Sequence, residues 1–249
     1  MRDILRADIY RIWGKRLQWI LLALSYVCIT VMIAVEIDES PDRAFFFVKR
    51  ISDGFSLISL VAGFAMLLGV YGDEFKSMVM IGVIGQGKSR TKFVVSKFLD
   101  VMILGAQMYI MSGIFVAILS KAFGAVFTGS ELKFIWISII FDYLNTLAFV
   151  SLASVFYFLS ENAAVGLFAF IAFETIIPLT LYFLESMTTL YQYHVSEYYM
   201  DGLLASACSD YIIGDNFRGT FFLLMGIVIY ILCSVLLSIQ IFRRKELNF

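Results

Sequence analysis

Gly82, Gly87, Lys88 and Ser89 stand in the order Gly-x-x-x-x-Gly-Lys-Ser, the spacing of a loop that cradles nucleotide phosphates. That loop works when a buried strand feeds it and a helix follows, so that backbone amides and the helix end face the phosphates. Here an apolar run and a helix-periodic stretch precede it, and no strand–helix alternation follows. The match is therefore read as chance, and no nucleotide is expected on this chain. Other chemistry is thin. His194 is the single histidine, which excludes a site built on two imidazoles, and no Gly-x-Ser-x-Gly nucleophile motif occurs. Cys28, Cys208 and Cys233 are isolated, so neither a disulfide framework nor a metal site is readable. The chain is read as a non-enzyme with no catalytic residue, metal or cofactor.

Two carboxylates are placed where carboxylates are costly. Asp142 lies about ten residues into the apolar run 132–159, and Glu174 about eleven into the run 163–184. Each is expected near the middle of a bilayer, where an ionised acid costs roughly 2.5–3.5 kcal/mol on insertion scales. No nearby lysine or arginine in the same run offsets either one. They must be protonated, hydrogen-bonded across helices, or exposed to a watery path. Asn145, one turn after Asp142, and Thr175, beside Glu174, are the nearest local partners. Pro178 lacks an N–H and frees a carbonyl about one turn earlier, near position 174, which favours a polar cavity there. Asp142, Asn145 and Glu174 are thus candidates for a translocation path, with structural hydrogen bonding between helices as the competing reading.

The elements that must hold these residues follow from composition. Of 249 residues, 61% are apolar and 16% aromatic, mean hydropathy is +0.87, and only two are proline. These values exclude the soluble class and predict an all-α, polytopic membrane protein with long helices. Apolar runs at 17–35, 54–72, 93–120, 132–159, 163–184 and 220–242 can each cross a core that needs about 20 residues, giving six transmembrane helices in a single domain, 1–249. The third and fourth exceed that length, so tilt or projection is expected. Residues 1–16 place Ile4, Leu5, Ile9, Ile12 and Trp13 on one helical face, with Arg2, Arg6, Arg11 and Lys15 around the rest. That pattern predicts an interfacial helix on an anionic leaflet, with a bend at Gly14–Lys15 before the first span.

Lysine and arginine set the orientation. Thirteen lie in the N-terminus, the loop after the second run and the tail, against six on the other side, which puts both termini in the cytoplasm. Outside, residues 36–53 form an acidic loop, and residues 185–219 carry Tyr191, Tyr193, His194, Tyr198, Tyr199 and Tyr211. The latter segment is read as re-entrant or interfacial, with a folded surface loop as the alternative. Residues 71–99 stand apart. Asp73 and Glu74 open them, Met78, Val79, Ile81 and Val83 follow, Gly82, Gly85 and Gly87 loosen the backbone, and Lys88, Arg90, Lys92 and Lys97 close them. A segment of this make-up at the cytoplasmic surface has the character of a lever.

Taken together, these features resemble the permease subunits of ABC type-2 exporters. That resemblance rests on the six-span topology and on the loop Glu74-Phe75, residues 78–84, Ser89-Arg90 and Lys97, although Gly85-Gln86-Gly87 replaces the usual Arg-Pro turn. It implies an N-terminal elbow helix, a cytoplasmic coupling loop over 73–92 after the second span, and short re-entrant helices before the sixth. Asp73, Glu74, Phe75, Met78, Val79 and Ile81 would then contact an ATPase. The implied partners are two ABC ATPase subunits and a second copy or a related permease, with a peptide or other amphipathic or hydrophobic substrate and no nucleic acid. The implied location is a bacterial plasma membrane, as in peptide export and bacteriocin self-protection. An ion-coupled carrier or membrane sensor without an ATPase is the alternative.

Overall fold

The computed structural model describes residues 8, 10–36, 43–72, 89–187, 195–213 and 218–244. Among them all regular structure is helical. In chain order the helices are α1 (Arg16–Glu36), α2 (Arg43–Val70), α3 (Arg90–Ala122), α4 (Gly129–Ser160), α5 (Ala163–Ile171), a π-helical turn (Ala172–Ile176), α6 (Ile177–Met187), a short 3₁₀ turn (Val195–Tyr198), α7 (Met200–Ile213) and α8 (Arg218–Arg244). Five described helical segments are long and apolar enough to cross a membrane: α1, α3, α4, the broken helix α5–α6, and α8. A shorter apolar helix, Ser56–Val70, forms the described apolar part of α2.

The α4 helix is the spine. Thr128 starts it through a capping box: its backbone N–H donates to Glu131 Oε2 at 2.7 Å, and its hydroxyl accepts from the Glu131 N–H at 3.4 Å. Glu161 ends it in a left-handed conformation, φ 57°, and the Asn162 side chain at once caps α5 by accepting from the Ala164 N–H at 2.9 Å. A connection this short turns the chain back, so α5 packs on α4, with Gly166 admitting Tyr157 closely. Residues 146–151 are all buried, which on a helix means that every face is covered. The helices packed around α4 are α2, α3, α5, α7 and α8. At about 1.5 Å per residue, α3 and α4 are each close to 50 Å long and must project beyond a ~30 Å hydrocarbon layer.

Close contact between α2 and α5 depends on Gly63. A Cβ there would lie 2.0 Å from the ring of Phe170, which is fully buried and has nowhere to move. That seat sets the distance between α2 and the broken helix. The outer faces of α1, α6 and α8 carry exposed Ile20, Leu24, Val31, Leu179, Phe183, Val228 and Leu232, as lipid-facing helices should.

One end of the bundle is closed by charge and aromatic packing. The first described residues make a helical turn that breaks at Gly14–Lys15, as the sequence predicts, before α1 begins. Ile12 packs into the core and Trp13 is exposed. Asp8 pairs with Lys97 Nζ at 2.7 Å and with Arg11 at 3.4 Å, and Lys97 lies 4.0 Å from Asp100. The Lys15 ammonium donates to the carbonyl of Gly69 at 2.9 Å at the last turn of α2, where the helix dipole favours a cation. Nearby, Arg90 donates to the carbonyls of Phe242 and Arg243 at 3.1 Å each, and Tyr157 donates to the Tyr71 carbonyl at 2.7 Å. Tyr71, Phe93, Tyr157, Phe158 and Phe242 form a continuous ring cluster. These contacts bring the segment at residue 8, the start of α3 and the end of α8 to the same end of the bundle. Residues 73–88, and with them Asp73, Glu74, Phe75, Met78, Val79 and Ile81, lie outside the described residues.

Lys97 is 1% exposed, so its ammonium exists only as part of this cluster. Lys97→Met should destabilise the protein by roughly 3–5 kcal/mol, because it leaves buried carboxylates without their cation. Adding Asp8→Asn should recover part of the loss. Denaturant unfolding in detergent measures both, and a double variant as weak as the single one would refute the pairing.

Candidate functional site

The middle of the bundle holds the polar cluster. Asp142, on α4, accepts from the Tyr109 hydroxyl of α3 at 2.8 Å through Oδ2. The Tyr109 oxygen lies 2.7 Å from Thr146 Oγ1, which lies 2.6 Å from the Ser59 hydroxyl of α2. Ser59 in turn donates to Glu174 Oε1. Three hydroxyls from three helices thus join two carboxylates in one chain of hydrogen bonds. Thr146 anchors its centre, with its own hydroxyl also 2.9 Å from the Asp142 carbonyl.

Glu174 sits where it does because its helix is broken. The N–H of Ile177 reaches back to the Ala172 carbonyl, a five-residue step that makes residues 172–176 a π turn. Pro178 follows directly, and a proline cannot supply the next helical donor. The break turns Glu174 toward α2 and leaves backbone to be satisfied from elsewhere. Tyr199 does so, donating its hydroxyl to the Phe173 carbonyl at 2.5 Å.

A third carboxylate enters from α7. Asn145 donates through Nδ2 to Asp201 Oδ1 at 3.0 Å, and Ser138 lies 3.8 Å from Cys208 Sγ. These two contacts set the register: α7 runs antiparallel to α4, starting at its midpoint and moving toward its Gly129 end. The segment before α7 is held as well, since Glu185 of α6 accepts from both the N–H and the hydroxyl of Ser196. Burial pushes the Asp201 carboxyl up to about 6, against the pull of the Asn145 hydrogen bond.

The three acids border a cleft of about 650 Å³ between α2, α4, the broken helix and α7, lined also by Leu57, Leu60, Leu179 and Leu204. A second hollow of about 700 Å³ shares Pro178, Tyr182 and Asp201 with it and continues past Ser196, Glu197 and Tyr199. Among the described residues, no lysine, arginine or histidine lines either one. Two buried acceptors in the first cleft have no hydrogen-bond partner, Asn145 Oδ1 and Glu174 Oε2.

All three path candidates named from the sequence, Asp142, Asn145 and Glu174, therefore line this cleft. Their partners are not the expected ones. Asn145 serves Asp201 and not Asp142, and Glu174 takes Ser59 across the bundle while neighbouring Thr175 stays exposed. Tyr109, Ser59, Thr146 and Asp201 were missed. Small hydroxyls inside apolar runs are the signal that points to the middle two, because such residues face neighbouring helices. Asp201 had no such signal, being one acid among several in a tyrosine-rich segment. Among the described residues, no group of three histidine, cysteine, aspartate or glutamate side chains is arranged to hold a metal ion.

Thr146→Val keeps the shape of the central residue and removes its hydroxyl. It should cost about 1–2 kcal/mol in detergent unfolding, since Ser59 and Tyr109 lose a shared partner in a dry site. Thr175→Val, at an exposed position, should stay near wild type. Equal stability of the two variants would show that the hydroxyl chain contributes nothing.

Compared with known proteins, the chain matches no protein-family model, and no curated protein resembles it significantly in sequence.

Proposed function

We propose that this chain is the membrane-spanning half of an ATP-driven exporter of the ABC type-2 kind, and that the acidic cleft is part of the path its substrate takes. The observation that carries the reading is that cleft: an acid-lined hollow in the middle of an otherwise apolar bundle, walled by a broken helix and by a helix that begins halfway along α4. Polar groups at that depth are expensive and mark paths for polar cargo. In this reading α2 supplies the sixth span and α7 is a re-entrant helix at the outer mouth. The 73–92 segment receives the motion of a separate ATPase. The clamped base from which it leaves supports that role, since Tyr71 and Arg90 are both tied into the ring cluster and the end of α8. A lever transmits force only from a stiff fulcrum. The substrate is an amphipathic or hydrophobic compound, in the first instance a peptide, moved outward across a bacterial plasma membrane by a pair of such permeases on two ATPases.

The hydroxyl chain between Asp142 and Glu174 favours a second reading, a carrier driven by protons with no ATPase. One excess proton fits that chain in two ways, on Glu174 or on Asp142, with every intervening hydroxyl reversed. The two readings differ in what the purified chain does alone. A proton-driven carrier moves substrate into proteoliposomes under an imposed pH gradient without ATP, and an exporter half does not.

Orientation and coupling can each be tested. In a cysteine-free background, Val126→Cys, at a site 85% exposed between α3 and α4, should be labelled by an impermeant maleimide only from outside, and Lys88→Cys only from inside. Labelling of Lys88→Cys from outside would overturn the coupling assignment. Affinity purification of the chain from its native membranes should bring down an ATPase subunit, and Glu74→Lys should lose it while still inserting. Reversing a charge at a partly buried interface contact costs ~2–5 kcal/mol, enough to undock it. Retention of the ATPase by Glu74→Lys would remove that residue from the interface.

A further inference from the structure

We propose that the cleft bounded by Asp142, Glu174 and Asp201 is a binding site for an amphipathic organic cation that carries N–H donors, a primary ammonium or a guanidinium. The proposal rests on reading this cleft as the substrate path and names the chemistry of what enters it.

Charge gives the sign. Three carboxylates face one hollow, and no described lysine, arginine or histidine pairs with any of them. Spacing gives the size. The three acids do not form a group arranged to hold one metal ion, so a cation that meets all three must be extended. The volume of about 650 Å³ lies in the range of small-molecule sites.

Hydrogen bonding gives the kind of cation. The donors that touch the acids are already committed: Tyr109 to Asp142, Ser59 to Glu174, and the Asn145 amide to Asp201. The buried polar atoms of the cleft lining that lack a partner are both acceptors. Asn145 is 2% exposed, yet its Oδ1 accepts from nothing, and Glu174 Oε2 is equally unpartnered. A buried carbonyl oxygen without a donor carries a desolvation cost, and a ligand that supplies N–H groups removes it. A quaternary ammonium has charge but no donor, so it would leave both oxygens unsatisfied. Ammonium and guanidinium groups bring three and five donors respectively.

The walls give the rest of the molecule. Leu57, Leu60, Leu179 and Leu204 line the same cleft, with Tyr182 shared by the two hollows. An apolar body beside a donor-bearing cation fits this division. A lysine or arginine side chain of an amphipathic peptide has that form, and so does the amine headgroup of a lipid.

The test uses the whole chain in phosphatidylcholine nanodiscs, whose headgroups carry no N–H. Dansylcadaverine, a primary ammonium on an aromatic body, is titrated by fluorescence against its N-acetyl and N,N,N-trimethyl forms. Wild type should bind the primary ammonium at least about tenfold more tightly than either analogue, since one removes the charge and the other the donors. Glu174→Gln and Asp201→Asn, checked for wild-type melting, should weaken dansylcadaverine by a similar factor and leave the acetylated form unchanged. Displacement of the probe by a lysine-bearing amphipathic peptide, and not by its acetyl-lysine form, would assign the natural donor to a peptide. Displacement by added phosphatidylethanolamine would assign it to a lipid. Equal affinity for the trimethylated probe overturns the donor argument. Equal affinity for the acetylated probe, or no binding by wild type, overturns the site. Because the wild-type probe series needs no substitution, a variant that fails to fold does not rescue the idea. No ATPase is present, so failure here leaves the exporter reading standing, and loss of the ATPase partner in the capture experiment leaves the cation site standing.

Discussion

Carboxylates without cations, held inside an apolar helical bundle, are the constraint on which the centre of this structure turns. An acid in such a place must be hydrogen-bonded or reached by water, and the fold supplies hydrogen bonds to all three acids beside an open cleft. Asp142 and Glu174 are joined through Tyr109, Thr146 and Ser59, so each hydroxyl that lowers the cost of one acid is also a contact between helices. The same bonds thereby hold α2, α3, α4 and the broken helix at fixed separations. Apolar packing alone fixes helix separation less sharply, because lipid tails are as good a solvent for leucine as another helix is.

The two kinds of polar contact divide the molecule. At one end, Asp8 pairs with Arg11 and Lys97, and Lys97 with Asp100, beside a cluster of rings that ties α2, α3, α4 and α8 together. In the middle there are acids and hydroxyls but, among the described residues, no bases. The first arrangement neutralises itself and closes that end. The second stays short of positive charge and of donors, and it borders open space. At the cleft, Asn145 Oδ1 and Glu174 Oε2 lack a donor among the described residues while facing open space, and in the proposed reading they tie the exporter to a particular cargo chemistry.

The break in the fifth apolar run connects these points. A continuous helix across residues 163–187 would present Glu174 in regular succession with its neighbours and would leave no carbonyl for Tyr199. The π turn before Pro178 shifts the register by one residue, gives Glu174 to Ser59, and gives the Phe173 carbonyl to the segment that leads into α7. The position of α7 against the midpoint of α4, and with it the third acid, follows from that exchange.

Much of this was legible in the residue order. Hydropathy alone marked six runs, and helices occupy all of them, five being long and apolar enough to span. Gly14–Lys15 marked the bend before α1, and Pro178 marked disturbed backbone near Glu174. Asp142, Asn145 and Glu174 stood out because a polar group in an apolar run is anomalous wherever that run packs. Partner choice was not legible. Ser59 lies 87 and 115 residues from Thr146 and Glu174, and Tyr109 lies 33 and 37 residues from Asp142 and Thr146, and nothing in local spacing says which face of one helix meets which face of another. Asp201 was hidden for the same reason: in sequence it is one of several acids in a tyrosine-rich segment read as re-entrant or interfacial, and only the packing of α7 on α4 brings it to Asn145. Local order along a chain determines where helices run and which side chains are costly to bury. Which of those side chains meet is decided by long-range packing, where the Gly63–Phe170 seat and the π turn set the distances.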